Sequence, residues 1–275
     1  MELWMVEQNT PGYSVNWKIK QTLYRETTRF QELEVLETEE LGRVMVLDGN
    51  IQVTEVDEFI YHEMIAHVPL YTHPRPREVL IIGGGDGGTA REALKHEGVS
   101  IELVEIDPSV VEASKRYLPQ MGGALDDPRV KVIIGDGIEY IEKCQKKYDV
   151  VIIDSSDPVG PAVGLFSEGF YRQVHRVLNE DGLLIAQTES PSFNRDLLAG
   201  VNQTLKDIFP LVRVCLTSIP CYLAGFWTFT VASKRYDPTG EIRRAGLDSG
   251  YRYYTPEVHQ AAFVLPPFIK AILRE

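Results

Sequence analysis

Val79-Leu80-Ile81-Ile82-Gly83-Gly84-Gly85-Asp86-Gly87-Gly88 decides the architecture of this 275-residue chain. Four branched aliphatic residues run into a glycine turn, and the turn carries an acid. The same arrangement recurs three times downstream. Ile101-Glu102-Leu103-Val104 delivers Glu105, Val130-Lys131-Val132-Ile133-Ile134 leads to Asp136, and Val150-Val151-Ile152-Ile153 delivers Asp154, with Asp157 just beyond. Short apolar runs separated by helical stretches are the pattern of buried parallel strands. In an open α/β sheet, ligands bind beyond the carboxyl ends of the strands. The expected crevice is therefore lined with acids, and it should attract cations and repel phosphate.

Upstream of this block, residues 1–53 have another texture. Val15, Trp17 and Ile19 alternate with polar residues, as do Leu33 and Val35, and then Val44 and Val46. Asp48-Gly49 between Val44–Leu47 and Ile51–Val53 is a hairpin signal. The expectation is a small antiparallel β domain over 1–53, too small to hold much core alone, followed by a catalytic α/β domain over 54–275. Residues 55–68 read as a helix with Phe59, Ile60, Met64, Ile65 and Val68 on one side, broken by Pro69, Pro74 and Pro76. Later strands are expected at 183–186 and 227–231, a helix at 202–209 ending before Pro210, and a helix start at Thr255-Pro256.

Gly83 to Gly88 satisfies G-x-G-x-x-G, and Glu105 follows Gly85 by 20 residues. That spacing fits a dinucleotide fingerprint, and equally the looser glycine turn of Rossmann-like, class I methyltransferase-like folds that bind an adenosyl sulfonium. Electrostatics separates the two. A pyrophosphate at the helix start after Gly88 would face Asp86, Asp136, Asp154 and Asp157, at a cost of several kcal/mol. A sulfonium would be stabilised there. Glu105 remains able to accept both ribose hydroxyls, and Asp136-Gly137 to take an adenine amino group.

Composition agrees. The formal net charge of −12 argues against nucleic acid, which needs a basic face, and against anionic membranes. It fits small cationic substrates. Cys144, Cys215 and Cys221 have no metal-ligand spacing and read as reduced thiols. No metal and no prosthetic group are expected. The first residues carry acids where a signal peptide carries basic residues, and no apolar run approaches membrane-spanning length, so a soluble, cytoplasmic protein is expected.

Asp154-Ser155-Ser156-Asp157-Pro158-Val159-Gly160-Pro161 follows the fourth strand. Close carboxylates are tolerable there if cations or protons share the space. An amine nucleophile of pKa near ~10 arrives protonated and must lose a proton to attack. Asp154 is placed to take it, and Asp157 to hold the other end of a diamine. A sulfonium leaves as a neutral thioether and needs no acid. The glycine-rich, polar connection from Ser155 to Phe170 is longer than most strand-to-helix connections, and it is expected to be mobile in the empty protein and to close over bound substrates.

These segments, with Ile51-Gln52-Val53-Thr54-Glu55 and Asp57-Glu58-Phe59-Ile60-Tyr61-His62-Glu63-Met64, resemble the spermidine synthases, the polyamine aminopropyltransferase family, over nearly the whole chain. The resemblance implies that decarboxylated S-adenosylmethionine is the co-substrate and putrescine the acceptor, with spermidine and methylthioadenosine as products. It implies Asp154 as proton acceptor, and Gln31, Glu105, Asp136, Gly137 and Pro161 as nucleoside contacts. Tyr61, His62, Asp86, Ser155, Ser156, Asp157 and Tyr222 become polyamine or aminopropyl contacts. A homodimer or homotetramer, held partly by the N-terminal β unit, is implied as well. Two positions depart from the pattern: His62 stands where some relatives have glutamine, and Cys221-Tyr222-Leu223-Ala224-Gly225 replaces Thr-Tyr-Pro-Ser-Gly. Two rival readings remain, a methyltransferase acting on a small amine and a non-catalytic polyamine or nucleoside sensor. Asp86 speaks against the first, because it would repel the carboxylate of ordinary S-adenosylmethionine. The presence of Asp154 speaks against the second.

Overall fold

The alternating apolar residues of the N-terminal segment build a five-stranded antiparallel sheet in the computed structural model, which describes residues 2–223, 225–243 and 250–274. Its strands are β1 (Leu3–Thr10), β2 (Tyr13–Thr27), β3 (Glu32–Thr38), β4 (Arg43–Leu47) and β5 (Asn50–Thr54), paired in sequence order. The β4–β5 turn has Asp48 and Gly49 at φ 48° and 81°, as the tight hairpin requires. One face of the sheet, with Leu36, Val44, Val46 and Ile51, joins the main core. The other, with Leu33, Val35, Met45 and Val53, packs on Val110, Ala113, Leu118 and Met121. Strands β3 to β5 thus bury both faces within the same chain, whereas β2 has no fully buried residue and β1 leaves Leu3, Trp4 and Val6 exposed.

Helix α1 (Glu58–Thr72) lies between that sheet and the next. Two expectations fail here. The helix continues through Pro69 to Thr72, and it is buried on nearly every side, with Glu58, His62, Glu63 and His67 inside alongside the apolar residues. A helix buried all round shows no amphipathic stripe, so its polar residues must be paired, and they are. Glu63, for example, accepts the backbone N–H groups of Arg252, Tyr253 and Tyr254 at 2.7–2.8 Å, anchoring the C-terminal segment.

The second sheet has seven strands: β6 (Glu78–Gly83), β7 (Ser100–Glu105), β8 (Val130–Ile134), β9 (Tyr148–Asp154), β10 (Leu178–Gln187), β11 (Leu211–Ser218) and β12 (Phe226–Ser233). Their order is β11-β12-β10-β9-β6-β7-β8, parallel from β8 through β10, with β12 antiparallel to both its neighbours. This is the mostly parallel α/β sheet expected. Strand β11 is an addition to the expected set. Helices α2 (Gly88–Ala93), α3 (Pro108–Tyr117), α4 (Pro119–Gly122), α5 (Gly137–Lys143), α6 (Glu168–Val177) and α7 (Arg195–Lys206) follow or connect the strands. The last of these, expected at 202–209, begins and ends earlier. At the C-terminus come α8 (Pro256–Ala262), capped by the Thr255 side chain on Val258 N as expected, and α9 (Pro267–Leu273). The chain proceeds β6, β7, β8 toward one edge, then returns to place β9 on the other side of β6. That reversal opens a crevice at the carboxyl ends of β6 and β9.

Candidate active site

The crevice is held open by glycine. Gly83 and Gly84 have φ of 82° and 66°, and a Cβ on Gly83 would lie 2.1 Å from the Asp154 carbonyl oxygen. Gly84 N donates to that oxygen at 2.9 Å. The turn after β6 therefore packs directly against the end of β9 and sets Asp86 and Asp154 in one pocket.

Asp154 is the centre of the site. Its Oδ1 accepts from the Tyr61 hydroxyl at 2.7 Å and its Oδ2 from the Thr89 hydroxyl at 2.6 Å. Burial and the neighbouring Asp86 push its carboxyl above the usual range, against the pull of His62 and the two hydroxyls. Asp86 goes the other way. Burial would raise it, but His62 and the Gly88 N–H, which donates to Oδ1 at 2.6 Å, hold it below the usual range. Two neighbouring carboxyls pushed apart in this way are suited to separate roles, one as anion and one as base.

Glu105, at the end of β7, accepts from Gly85 N at 3.2 Å and Asp107 N at 2.9 Å, and burial pushes its carboxyl up to about 7. Gln31 is fixed by donating to Asp107 at 3.0 Å. Asp136 uses Oδ1 to cap α5, accepting from Ile138 N at 2.7 Å, so one of its oxygens is already engaged. The Tyr222 hydroxyl donates to Gln52 O at 2.9 Å, and its ring meets Tyr61 edge-on. Ala224, part of the departing Cys221–Gly225 motif, lies outside the described residues.

One cavity collects every residue singled out from the sequence: Gln31, Tyr61, His62, Asp86, Glu105, Asp136, Gly137, Asp154, Ser155, Ser156, Asp157, Pro161 and Tyr222 all line it. The chain also matches, over residues 58–241, the model of the spermine/spermidine synthase domain, and over residues 3–55 that of the spermidine synthase tetramerisation domain.

The chain belongs to the spermine/spermidine synthase family. It is 52% identical to the polyamine aminopropyltransferase of Caldicellulosiruptor saccharolyticus and 48% identical to that of Bacillus subtilis, with 99% of both chains covered in each case. Among solved structures it is similar to a spermidine synthase in complex with the transition-state analogue AdoDATO, with a TM-score of 0.96 and 41% identity over 99% of this chain and 95% of that one. The spermidine synthase of Thermotoga maritima gives a TM-score of 0.94 at 40% identity, over 99% of this chain and 94% of that one.

Within this family fold, some neighbours of the cavity are not among the residues singled out from the sequence. A second cavity shares Tyr61, Ser155, Ser156, Asp157 and Tyr222 with the first and adds Glu7, Gln187, Glu189, Asn194 and Trp227. Burial and Asp157 push the Glu189 carboxyl up to about 8, although Gln187 and Asn194 donate to it. Glu189 also sits at φ 70°, a strained position for a residue with a side chain. It follows the end of β10, so the pattern of strand-end acids, extended to a fifth strand, contains it. Glu7, on β1, carries no such signal, and neither does Thr89. Ser155 and Trp227 line this second cavity, and Ser155 Oγ and Trp227 Nε1 are buried without a partner among the described residues.

Proposed function

We infer that this protein is a polyamine aminopropyltransferase, a spermidine synthase, which moves the aminopropyl group of decarboxylated S-adenosylmethionine to putrescine and releases methylthioadenosine. The observation that carries the assignment of roles is Asp154 beside Asp86 at the junction of β6 and β9, in the cavity that also holds Glu105. Glu105 accepts the ribose hydroxyls, and Gln31, Asp136, Gly137 and Pro161 surround the nucleoside. Asp86 Oδ2 takes the primary ammonium of the aminopropyl arm. Tyr61 and Tyr222 flank the aliphatic chain, His62 stands behind Asp86, and Asp157 with Glu189 faces the far ammonium of the acceptor.

The chemistry follows from these positions. The near ammonium of the diamine gives one proton to Asp154. Its freed lone pair forms a bond to the carbon next to the sulfonium, the C–S bond breaks, and the electron pair stays on sulfur. The new secondary amine carries the positive charge that the sulfonium lost, and methylthioadenosine leaves neutral. The protein supplies position, a base and anionic walls that are already in place for the charge.

The N-terminal sheet is the element through which copies of the chain associate, in our reading as a tetramer, with residues 54–275 carrying catalysis. The three buried free thiols suit a reducing cytoplasm. No described helix is long and apolar enough to cross a membrane. The deciding experiment supplies purified protein with decarboxylated S-adenosylmethionine and a panel of diamines and identifies the products by mass. Spermidine from putrescine is expected, and a methylated amine from ordinary S-adenosylmethionine would overturn the reading.

A further inference from the structure

Glu58 lies one helical turn before His62 on α1, outside the lining of the main cavity. The two nitrogens of His62 both meet acids: Nδ1 is 2.5 Å from Glu58 Oε2, and Nε2 is 3.3 Å from Asp86 Oδ1. The His62 side chain is 3% exposed, and its ring is wedged against Gly88, where a Cβ would come within 2.1 Å of it. An ionised carboxylate can only accept a hydrogen bond. A neutral imidazole has one N–H and would point a lone pair at one of the two acids. With an acid at each nitrogen the ring carries both protons and is a cation.

Glu58 is itself held from behind. Arg91 on α2 donates from its two terminal nitrogens to both Glu58 oxygens at 2.9 and 2.8 Å, the two-pronged geometry that fixes a carboxylate most firmly. Its Nε donates to Glu92 at 2.8 Å. Charge therefore alternates along Arg91, Glu58, His62 and Asp86 into the crevice, where Asp154 follows.

We propose that Glu58, braced by Arg91, is a positioning residue that holds His62 as an imidazolium, and that this fixed cation lets Asp86 and Asp154 stay ionised side by side. The proposal rests on the roles given above to Asp86 and Asp154. Without the cation, two close carboxylates would share a proton, and the base would be occupied before the acceptor arrived. His62 then acts through Asp86 and Asp154, with no nitrogen left to donate to a polyamine.

The groups facing His62 act as follows. Glu58 from its own helix and Asp86 from the glycine turn favour the cation, as does Asp154 from the end of β9. Arg91 from α2 and burial oppose it. Tyr61 and, beyond it, Tyr222 are neutral. Burial works against the charge, yet the acids raise His62 to about 10. Replacing Glu58 with Gln removes one acid and leaves Arg91 paired only with Glu92, so His62 should lose its proton within the working range of pH. Asp154, already pushed up by burial and Asp86, then rises further and is protonated more of the time on the acid side.

The test reads both ends of this chain of effects. Nitrogen NMR of histidine-labelled empty enzyme should show His62 as an imidazolium from pH 6 to 9, and Glu58→Gln should bring its titration into that window. With decarboxylated S-adenosylmethionine and putrescine saturating, the acid limb of kcat in Glu58→Gln should move up by about one pH unit, an approximately tenfold loss on that limb, with the rate recovering at higher pH. The double variant Glu58→Gln with Arg91→Met removes the arginine that has lost its Glu58 partner and should show the same shift, which covers misfolding of the single variant. A neutral His62 in the wild-type enzyme at pH 7.5 overturns the proposal, as does a turnover lowered equally at every pH with an unmoved acid limb. The NMR measurement makes no use of the assignment of Asp154. Failure of that assignment, seen as full turnover in Asp154→Asn, is thus distinguishable from the absence of charge on His62.

Discussion

Tyr61 and Asp154, 93 positions apart in sequence, meet through a 2.7 Å hydrogen bond in which the phenol donates to carboxylate Oδ1. Thr89 holds Oδ2 in the same way at 2.6 Å. Both bonds favour the ionised carboxylate that the proposed reaction needs as proton acceptor, against the burial and the Asp86 charge that favour the acid. Asp154→Asn keeps the shape and removes the basicity. Turnover should fall by roughly 10²–10⁴-fold, while calorimetry finds methylthioadenosine binding largely preserved. Near-normal turnover would remove Asp154 as the base.

Asp86 offers a test of donor choice. It is held as an anion by His62 and the Gly88 amide, and it lines the cavity. The carboxylate of ordinary S-adenosylmethionine would approach a fixed negative charge there, whereas the decarboxylated donor brings only an ammonium. Asp86→Asn should narrow the affinity gap between the two. An unchanged ratio in a calorimetric comparison would sink this account of selectivity.

Glu105 predicts a pH dependence of nucleoside binding. Burial raises its carboxyl to about 7 in the empty site, against the pull of the Asp107 and Gly85 amides. Ribose hydroxyls donate to the ionised form, so binding lowers that value and releases a proton near neutrality. Affinity for methylthioadenosine should rise with pH up to about 7 and level off above it, losing up to tenfold per unit below. Calorimetry in buffers of different ionisation enthalpy would detect the proton. Glu105→Gln should bind more weakly and show no such dependence. A pH-independent wild-type affinity would contradict the assignment.

Strand-end carboxylates make most of the site legible in the amino-acid sequence. Asp86, Glu105, Asp136 and Asp154 are local consequences of short apolar runs, and one run predicts one strand end. Tyr61, His62 and Gln31 are visible only through family resemblance, because nothing in a helix or a loop says which wall it will face. Local pattern misleads at α1: a helix buried all round has no polar side, so its apolar residues imitate a single face and Pro69 imitates an end. The pairing of His62 with both Glu58 and Asp86 is not legible at all. The first partner is one turn away, but the second arrives from the glycine turn after β6 by tertiary packing, and the charge on His62 needs both.

The segment after β9 is more organised than the long flexible connection expected from Ser155 to Phe170. Residues Gly160–Phe166 form a 3-10 helix, and Glu168 already begins α6, with Phe170 buried. What remains irregular, Ser155 to Val159, is tied to the body through Gln187, whose amide donates to the Ser155 and Ser156 carbonyls at 3.2 and 3.4 Å. Val159 and Val163 are largely exposed, and Val159 lines the cavity. Closure over both substrates would cover them, bring Asp157 onto the distal ammonium and shut out water. Exclusion of water matters because carboxylate and ammonium attract several-fold more strongly at an effective dielectric of ~20 than in bulk water. Hydrogen exchange tests this by comparing empty enzyme with enzyme holding methylthioadenosine and a diamine. Amides from Ser155 to Val163 should be poorly protected when empty and well protected when filled, while those of β9 stay protected in both. Equal protection in the two states would show a preformed site, and the moving lid would have to be abandoned.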